Sequence, residues 1–214
     1  MCGIIGYKAR RTDAARIVLK GLKKLEYRGY DSWGYAVRAN GKVLVHKRTG
    51  KIGELDLSKM ELPSSTLAMA HSRWATHGGV TEANAHPHQS CGGRVTIIHN
   101  GIIENYLQLK KNLVKKGHKF VSETDTEVVA HLIEEYLKKH PGKLTKEQFQ
   151  AGVQKALADL HGRYAFLVMC VDCDALIAAR RGSPLIVGKG DSGEYFIASD
   201  IPAFLEYTNR VMYL

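Results

Sequence analysis

A cysteine at position 2, in the start Met1-Cys2-Gly3-Ile4-Ile5-Gly6, carries both a thiol and a free amine once a single methionine is removed. A terminal α-amine has a pKa of about 7.7–8.0, so roughly a third of it is unprotonated at pH 7.5, against roughly a thousandth of a lysine side chain. That makes it a ready general base beside a nucleophile that needs one. With Met1 in place the same nitrogen is a peptide amide and supplies no base. Two further patterns have metal-ligand chemistry, Cys170-Val171-Asp172-Cys173 and His86-Pro87-His88. A C-x-x-C without a second pair is a weak zinc signal, and on a predicted strand cysteines three apart point to opposite faces. His86 and His88 can share a face, but no third or fourth ligand is identifiable, and Cys91 reads as incidental. No metal and no cofactor are expected.

The elements that would position these groups follow from periodicity and punctuation. Residues 3–8 read as a buried strand, and Thr12 or Asp13 opens an amphipathic helix with Ala15, Val18, Leu22 and Leu25 on one face, ending near Arg28-Gly29. Strands over 33–39 and 42–48 are joined by Asn40-Gly41, the strongest short hairpin signal. Residues 66–72 and 94–99 are further strands. The intervening 73–93 is polar, with little periodicity, and reads as a long active-site loop. A helix over 105–116 has Gly117 as its C-terminal cap. Capping boxes at Thr124-Asp125-Thr126-Glu127 and Thr145-Lys146-Glu147-Gln148 open helices reaching about Lys139 and Leu160. Short strands follow at 164–171, 175–179, 185–187 and 195–198, and Val211-Met212-Tyr213-Leu214 reads as an apolar strand. Strands, then helices, then strands again predict an α+β fold with antiparallel sheets packed under helices.

Composition narrows the function classes. With 214 residues, 44% of them hydrophobic, the chain can bury one substantial core, so one domain over 1–214 is expected. There is no run of about 18 apolar residues and no secretory pattern at the start, so a soluble, cytoplasmic protein without membrane contact is expected. Four cysteines at uneven spacing fit free thiols in a reducing compartment. The net charge of +10 raises nucleic-acid binding as a question. Lys20, Lys23, Lys24, Lys110, Lys111, Lys115, Lys116, Lys138 and Lys139, however, fall on polar sides or C-terminal turns of three separate helices, where they suit solvent and the helix dipole. No nucleic-acid partner is expected.

Read in order, Cys2-Gly3-Ile4-Ile5-Gly6, Arg28-Gly29-Tyr30-Asp31-Ser32, Arg73-Trp74-Ala75-Thr76-His77-Gly78, His99-Asn100-Gly101-Ile102-Ile103-Glu104-Asn105, Glu123-Thr124-Asp125-Thr126-Glu127 and Gly182-Ser183-Pro184-Leu185 resemble the glutaminase domains of the class II glutamine amidotransferases. The resemblance covers almost the whole chain. The Cys2 start and the Asn-Gly pair belong to the wider family. Arg-Trp-Ala-Thr-His-Gly and Glu-Thr-Asp-Thr-Glu point to its sugar-phosphate branch, which passes ammonia to fructose 6-phosphate. The resemblance implies an Ntn-hydrolase-type four-layer αββα sandwich, two antiparallel sheets between helix layers.

It also implies roles. Cys2 is the nucleophile on the side-chain amide of L-glutamine. The side-chain amide of Asn100 and the backbone N–H of Gly101 form the oxyanion hole that the tetrahedral intermediate needs, although Asn-Gly is also a common turn pair. Free glutamine is a zwitterion and needs a cation for its carboxylate and an anion for its ammonium. By similarity Arg73 takes the carboxylate, helped by Thr76 and His77, and Asp125 takes the ammonium. Asp125 also sits in a first helical turn, where a carboxylate suits the dipole anyway. A lone tryptophan is usually a core aromatic. The resemblance instead makes Trp74 a mobile loop residue covering the glutamine site and gating an ammonia path, and places Arg28 near the terminal cysteine.

The expected activity is hydrolysis of L-glutamine to glutamate and ammonia through a Cys2 thioester. A C-terminal isomerase domain or subunit holding fructose 6-phosphate would consume the ammonia, within a full-length enzyme that forms a homodimer. That domain is absent from these 214 residues, which leaves a piece of a longer chain or a stand-alone subunit. Two rival readings remain: a glutamine-binding domain without turnover, and an amidotransferase with another acceptor, such as phosphoribosyl pyrophosphate or an asparagine-forming partner. Trp33, after Asp31-Ser32, stands where the family commonly has a small residue.

Overall fold

The computed structural model describes residues 2–76 and 78–214, so expectations resting on Met1 and His77 lie outside the described residues. In chain order the elements are β1 (Gly3–Lys8), α1 (Ala14–Lys24), β2 (Ser32–Ala39), β3 (Lys42–Thr49), β4 (Leu67–Arg73), β5 (His88–Gln89), β6 (Val95–Ile103), α2 (Tyr106–Lys115), α3 (Thr126–Leu137), α4 (Lys146–Ala158), β7 (Gly162–Cys170), β8 (Leu176–Arg181), β9 (Ile186–Lys189), β10 (Tyr195–Ala198) and β11 (Val211–Tyr213). They pair antiparallel into a seven-stranded sheet, β11-β9-β10-β1-β4-β2-β3, and a four-stranded sheet, β5-β6-β7-β8.

Period-two alternation sorts the strand residues into layers. On the outer face of the large sheet, Ile5, Tyr7, Ala68, Ala70, Tyr35 and Val37 pack on α1 through Val18, Leu22 and Leu25. The inner face contributes Ile4, Ala36, Leu67 and Met69, which meet Ile98, Ala165, Leu167 and Met169 of the small sheet. Tyr164, Phe166 and Val168 turn the other way, onto Val129 and Ile133 of α3 and Phe149 and Val153 of α4. The result is the four-layer αββα sandwich. Asn40 and Gly41 carry φ of 51° and 70°, the two positive values that a tight hairpin matching strand twist requires. Past α2, Gly117 N–H donates to Val114 O and His118 N–H to Leu113 O, both at 3.0 Å, a complete Schellman cap.

Several expectations are corrected. The stretch 73–93 contains the short strand β5, which pairs with β6. The strand expected over 94–99 continues to Ile103, so Asn100-Gly101 is no turn: Asn100 pairs with Ala165 and Gly101 with Tyr164 inside the ladder. Thr145 and Gln148 form the second capping box as read, but Thr124 and Glu127 do not form the first. The Glu127 carboxylate reaches back to the N–H groups of Val121 and Ser122 at 2.8 and 2.7 Å, and Asp125 becomes the N-cap. Cys170 ends β7, so the alternation argument stops there, and the chain returns Cys173 to the same helix-side core. β11 pairs with β9 at one edge of the large sheet, its side chains exposed.

Buried histidines extend both cores, His71 on the inner face of β4 and His99, beside Phe166, on the helix side of β6. His71, His86, His88 and His99 are all buried, with ring centroids 4.1 Å apart for His71–His86 and 4.7 Å for His86–His88. Burial holds them neutral: His71 is pulled down to about 3 and His99 to about 4. Unfolded histidine titrates near 6.5, so in acid the unfolded chain takes up protons that the folded one refuses. Stability from these groups is therefore complete above about pH 6.5 and falls with pH by about 1.4 kcal/mol per pH unit for each of them until its folded pKa is reached. Urea midpoints between about pH 6.5 and 4 should drop accordingly, and His71→Gln should shallow the slope by about one proton; an unchanged slope would show that His71 is not held neutral.

Candidate active site

The register of β1 against β4 pairs Gly3 with Ser72, which brings Cys2 to the end of β4 beside Arg73 and Trp74. The Trp74 N–H donates to Cys2 Sγ at 3.2 Å, and the thiol faces Trp74 O at 3.7 Å. The Cys2 carbonyl accepts from Asn100 Nδ2 at 2.7 Å and from Arg28 Nε at 3.3 Å, with Arg28 anchored by Asp200 at 3.0 Å. Burial pushes the Cys2 thiol up, against the opposing pull of the Trp74 N–H and the Arg73 charge. The sulfur therefore rests as a thiol at neutral pH, and its use as a nucleophile needs a base.

Asn100 is oriented from the opposite sheet. His71 Nε2 lies 3.0 Å from Asn100 Oδ1 and 2.9 Å from His99 O. Both are acceptors, so the proton of the neutral ring is on Nε2. Held by its oxygen, the amide directs one Nδ2 hydrogen at Cys2 O and keeps a second for another acceptor. Next to it, Gly101 has φ of 129°, and a Cβ there would lie 2.0 Å from Arg163 O. Only glycine fits that strand position.

The loop after β4 wraps the Arg73 guanidinium, which donates to Gly79 O at 3.1 Å and Gly78 O at 3.3 Å. Asp31 braces one end of this loop by accepting from Ala75 N–H at 2.8 Å, and Glu123 braces the other by accepting from Gly79 N–H at 3.2 Å. Trp74 is 47% exposed, tilted against Tyr30 at 5.6 Å, and is not a core aromatic. Asp125, 7% exposed, accepts from Ile103 N–H at 2.7 Å, which ties the start of α3 to the end of β6.

Cys2, Arg73, Trp74, Thr76, Gly101 and Asp125 thus line one cavity of about 40 Å³. It adjoins a mostly apolar cavity of about 280 Å³ that shares Cys2, Trp74, Thr76 and Gly101 and adds Asn100, Ile102, Ser183 and Pro184. Arg28 lines neither and holds the Cys2 backbone from behind. His77, expected to assist Arg73, lies outside the described residues. The sequence reading missed His71, the bracing role of Asp31, and the walls His86, His99 and Thr126. His71 was findable in principle, since strand alternation puts it on the same face as Arg73; its partner, 29 positions away, was not. His86 Nε2 and His88 Nε2 are engaged by the Thr126 and Thr124 hydroxyls at 2.9 and 3.1 Å. Cys173 donates to Leu144 O at 3.4 Å within the core.

Comparison with known proteins shows the family and the fold. The family described as the glutamine amidotransferase domain matches residues 71–206. Glutamine–fructose-6-phosphate aminotransferase (isomerizing) of Pyrococcus horikoshii is 49% identical over all of this chain, and that of Thermococcus kodakarensis 50%. The chain spans only 35% of the length of each. Among solved structures, the glutamine phosphoribosylpyrophosphate amidotransferase of B. subtilis superposes with a TM-score of 0.78 at 30% identity, covering all of this chain and 44% of that one. The sandwich is that of the Ntn amidotransferases, and the chain belongs to the glutamine amidotransferase domain family.

Proposed function

We propose that residues 1–214 form a glutaminase domain that hydrolyses L-glutamine to glutamate and ammonia at Cys2. The observation that carries this reading is the placement of the Cys2 thiol in a cavity whose walls also hold Arg73 and Asp125, one charge for each end of a free amino acid. Loss of Met1 frees the Cys2 amine, which takes the thiol proton. The thiolate attacks the side-chain carbonyl carbon of glutamine, and the oxyanion receives the second Nδ2 hydrogen of Asn100 and the Gly101 N–H. Collapse of the intermediate expels ammonia, with the proton returned by the amine, and leaves a γ-glutamyl thioester. Water, deprotonated by the same amine, attacks the thioester and releases glutamate and the thiol.

Arg73, with Thr76 and His77, holds the substrate carboxylate, and Asp125 its ammonium. Trp74 covers the site, and the apolar cavity along Ile102, Ser183 and Pro184 is the side by which ammonia leaves. Arg28 fixes the Cys2 carbonyl. The names of the relatives at 49–50% identity favour fructose 6-phosphate as the eventual acceptor, held by an isomerase domain beyond this segment, over the phosphoribosyl acceptor in the name of the 30% identical structure.

Cys2→Ala should abolish glutamate release while leaving the fold intact by circular dichroism, and intact mass of the active protein should lack one methionine. Turnover surviving in Cys2→Ala, or in protein that retains Met1, would falsify the mechanism. kcat/KM should rise with pH through about 7.7–8.0 as the amine loses its proton. Asn100→Ala should lower kcat by about 10²–10³ with KM little changed, as expected for a donor that acts on the oxyanion. Asp125→Asn should act mainly on KM; a kcat loss alone would remove Asp125 from ammonium binding. Residues 1–214 alone should release ammonia without forming an amino sugar, and formation should need an isomerase domain or subunit.

A further inference from the structure

Away from the Cys2 cavity, four side chains of ligand type converge from three separate segments. Cys91 lies on the turn between β5 and β6, His118 just past α2, and His131 and Glu134 three residues apart on one face of α3. One ligand atom from each, all four within 4.8 Å of one another, forms a cluster. Cys91 Sγ is 3.6 Å from His131 Nδ1, and His118 Nδ1 is 3.7 Å from Glu134 Oε2. A tetrahedron with bonds of about 2.0–2.3 Å has edges of about 3.3–3.7 Å, so these two edges already have the length a bound zinc ion would set.

The surrounding hydrogen bonds prepare each donor atom. His118 Nε2 faces Glu135 Oε2 at 3.0 Å and His131 Nε2 faces Glu127 Oε1 at 3.3 Å. A proton on Nε2, facing the carboxylate, turns the Nδ1 lone pair to the cluster, the pattern by which a second carboxylate orients a metal-binding imidazole. His118 Nδ1 is buried with no hydrogen-bond partner among the described residues, although its side chain is 2% exposed. A bare nitrogen aimed at a carboxylate oxygen is a repulsive contact that a shared cation relieves. Glu134 Oε1 accepts from the Gly92 N–H at 3.0 Å, and Oε2 faces His118 Nδ1 in the cluster. Cys91 Sγ accepts from the Lys119 N–H at 3.1 Å, which fixes the sulfur at the cluster. The cluster opens on a cleft of about 320 Å³ through Cys91 and His131, which gives an ion a way in.

We propose that Cys91, His118, His131 and Glu134 form a structural zinc site that ties the β5–β6 turn and the α2–α3 connection to α3. One thiolate, one carboxylate and two neutral imidazoles neutralise a divalent ion, and a thiolate with imidazoles selects zinc over the hard divalent cations. Four protein ligands leave no open position, which makes the site structural.

The probe is Co²⁺ titrated into the chelator-treated full chain. One equivalent should produce a sulfur-to-cobalt charge-transfer band and the visible bands of a tetrahedral site. Cys91→Ser should remove the charge-transfer band, Cys2→Ser should keep it, and His118→Gln should weaken binding at least tenfold. Zn²⁺ at about a hundredfold excess over its Kd should raise Tm by about 5–10 °C, a rise lost in Cys91→Ser. The absence of any thiolate–cobalt band would overturn the site and leave the cluster a proton-held hydrogen-bond network. So would a band that persists in Cys91→Ser and vanishes in Cys2→Ser.

Discussion

The hydrogen bond from His71 Nε2 to Asn100 Oδ1 joins the two sheets, and the rest of the site depends on it. His71 stands on β4 and Asn100 on β6, so their contact fixes one sheet against the other at the end where Cys2 lies. A flipped amide would set its nitrogen against the His71 N–H and its oxygen against the Cys2 carbonyl, leaving both contacts repulsive in a buried setting. The orientation is thus determined from both sides. The same bond needs a neutral ring, which the buried histidine seam guarantees at physiological pH.

The resting state of Cys2 follows from the same burial. Its thiol is pushed up, although Arg73 is nearby and Trp74 donates to the sulfur. A site that relied on a lowered thiol pKa would have the nucleophile charged at rest. Here activation has to come from a base brought to the sulfur, and the proposed one is the amine of the same residue. On that proposal the chemical switch is the processing of one methionine, and the remaining residues position what the switch turns on.

Local signals accounted for much of the architecture. The hairpin at Asn40-Gly41, the Gly117 cap and the Thr145–Gln148 box are set by residues a few positions apart, and all three form. The first capping box failed because its parts have other partners: His88 Nε2 for the Thr124 hydroxyl, and the Val121–Ser122 backbone for Glu127. Asn100-Gly101 carried the composition of a turn, yet β7 pairs through it and Arg163 O occupies the space of any Cβ on Gly101. Within the site, Arg73, Trp74, Thr76 and Asp125 were legible as segments resembling a family. His71 and the bracing role of Asp31 were not, since each acts on a group 29 or 44 positions away.

α3 joins the site to the proposed metal cluster. Its first residues, Asp125 and Thr126, wall the cavity at Cys2, and about one and a half to two and a half turns further on it carries His131 and Glu134. The connection leading into it is held at both ends. His118 belongs to the cluster at one end, and at the other Glu123 accepts from the Gly79 N–H and the Asn84 side chain, which braces the loop that wraps Arg73. Whatever fixes His118 and His131 therefore also limits how far Glu123 and Asp125 can move. A helix N-terminus that must meet a small charged substrate within hydrogen-bond distance gains from an anchor placed away from the substrate, because the anchor then adds rigidity without occupying the cavity.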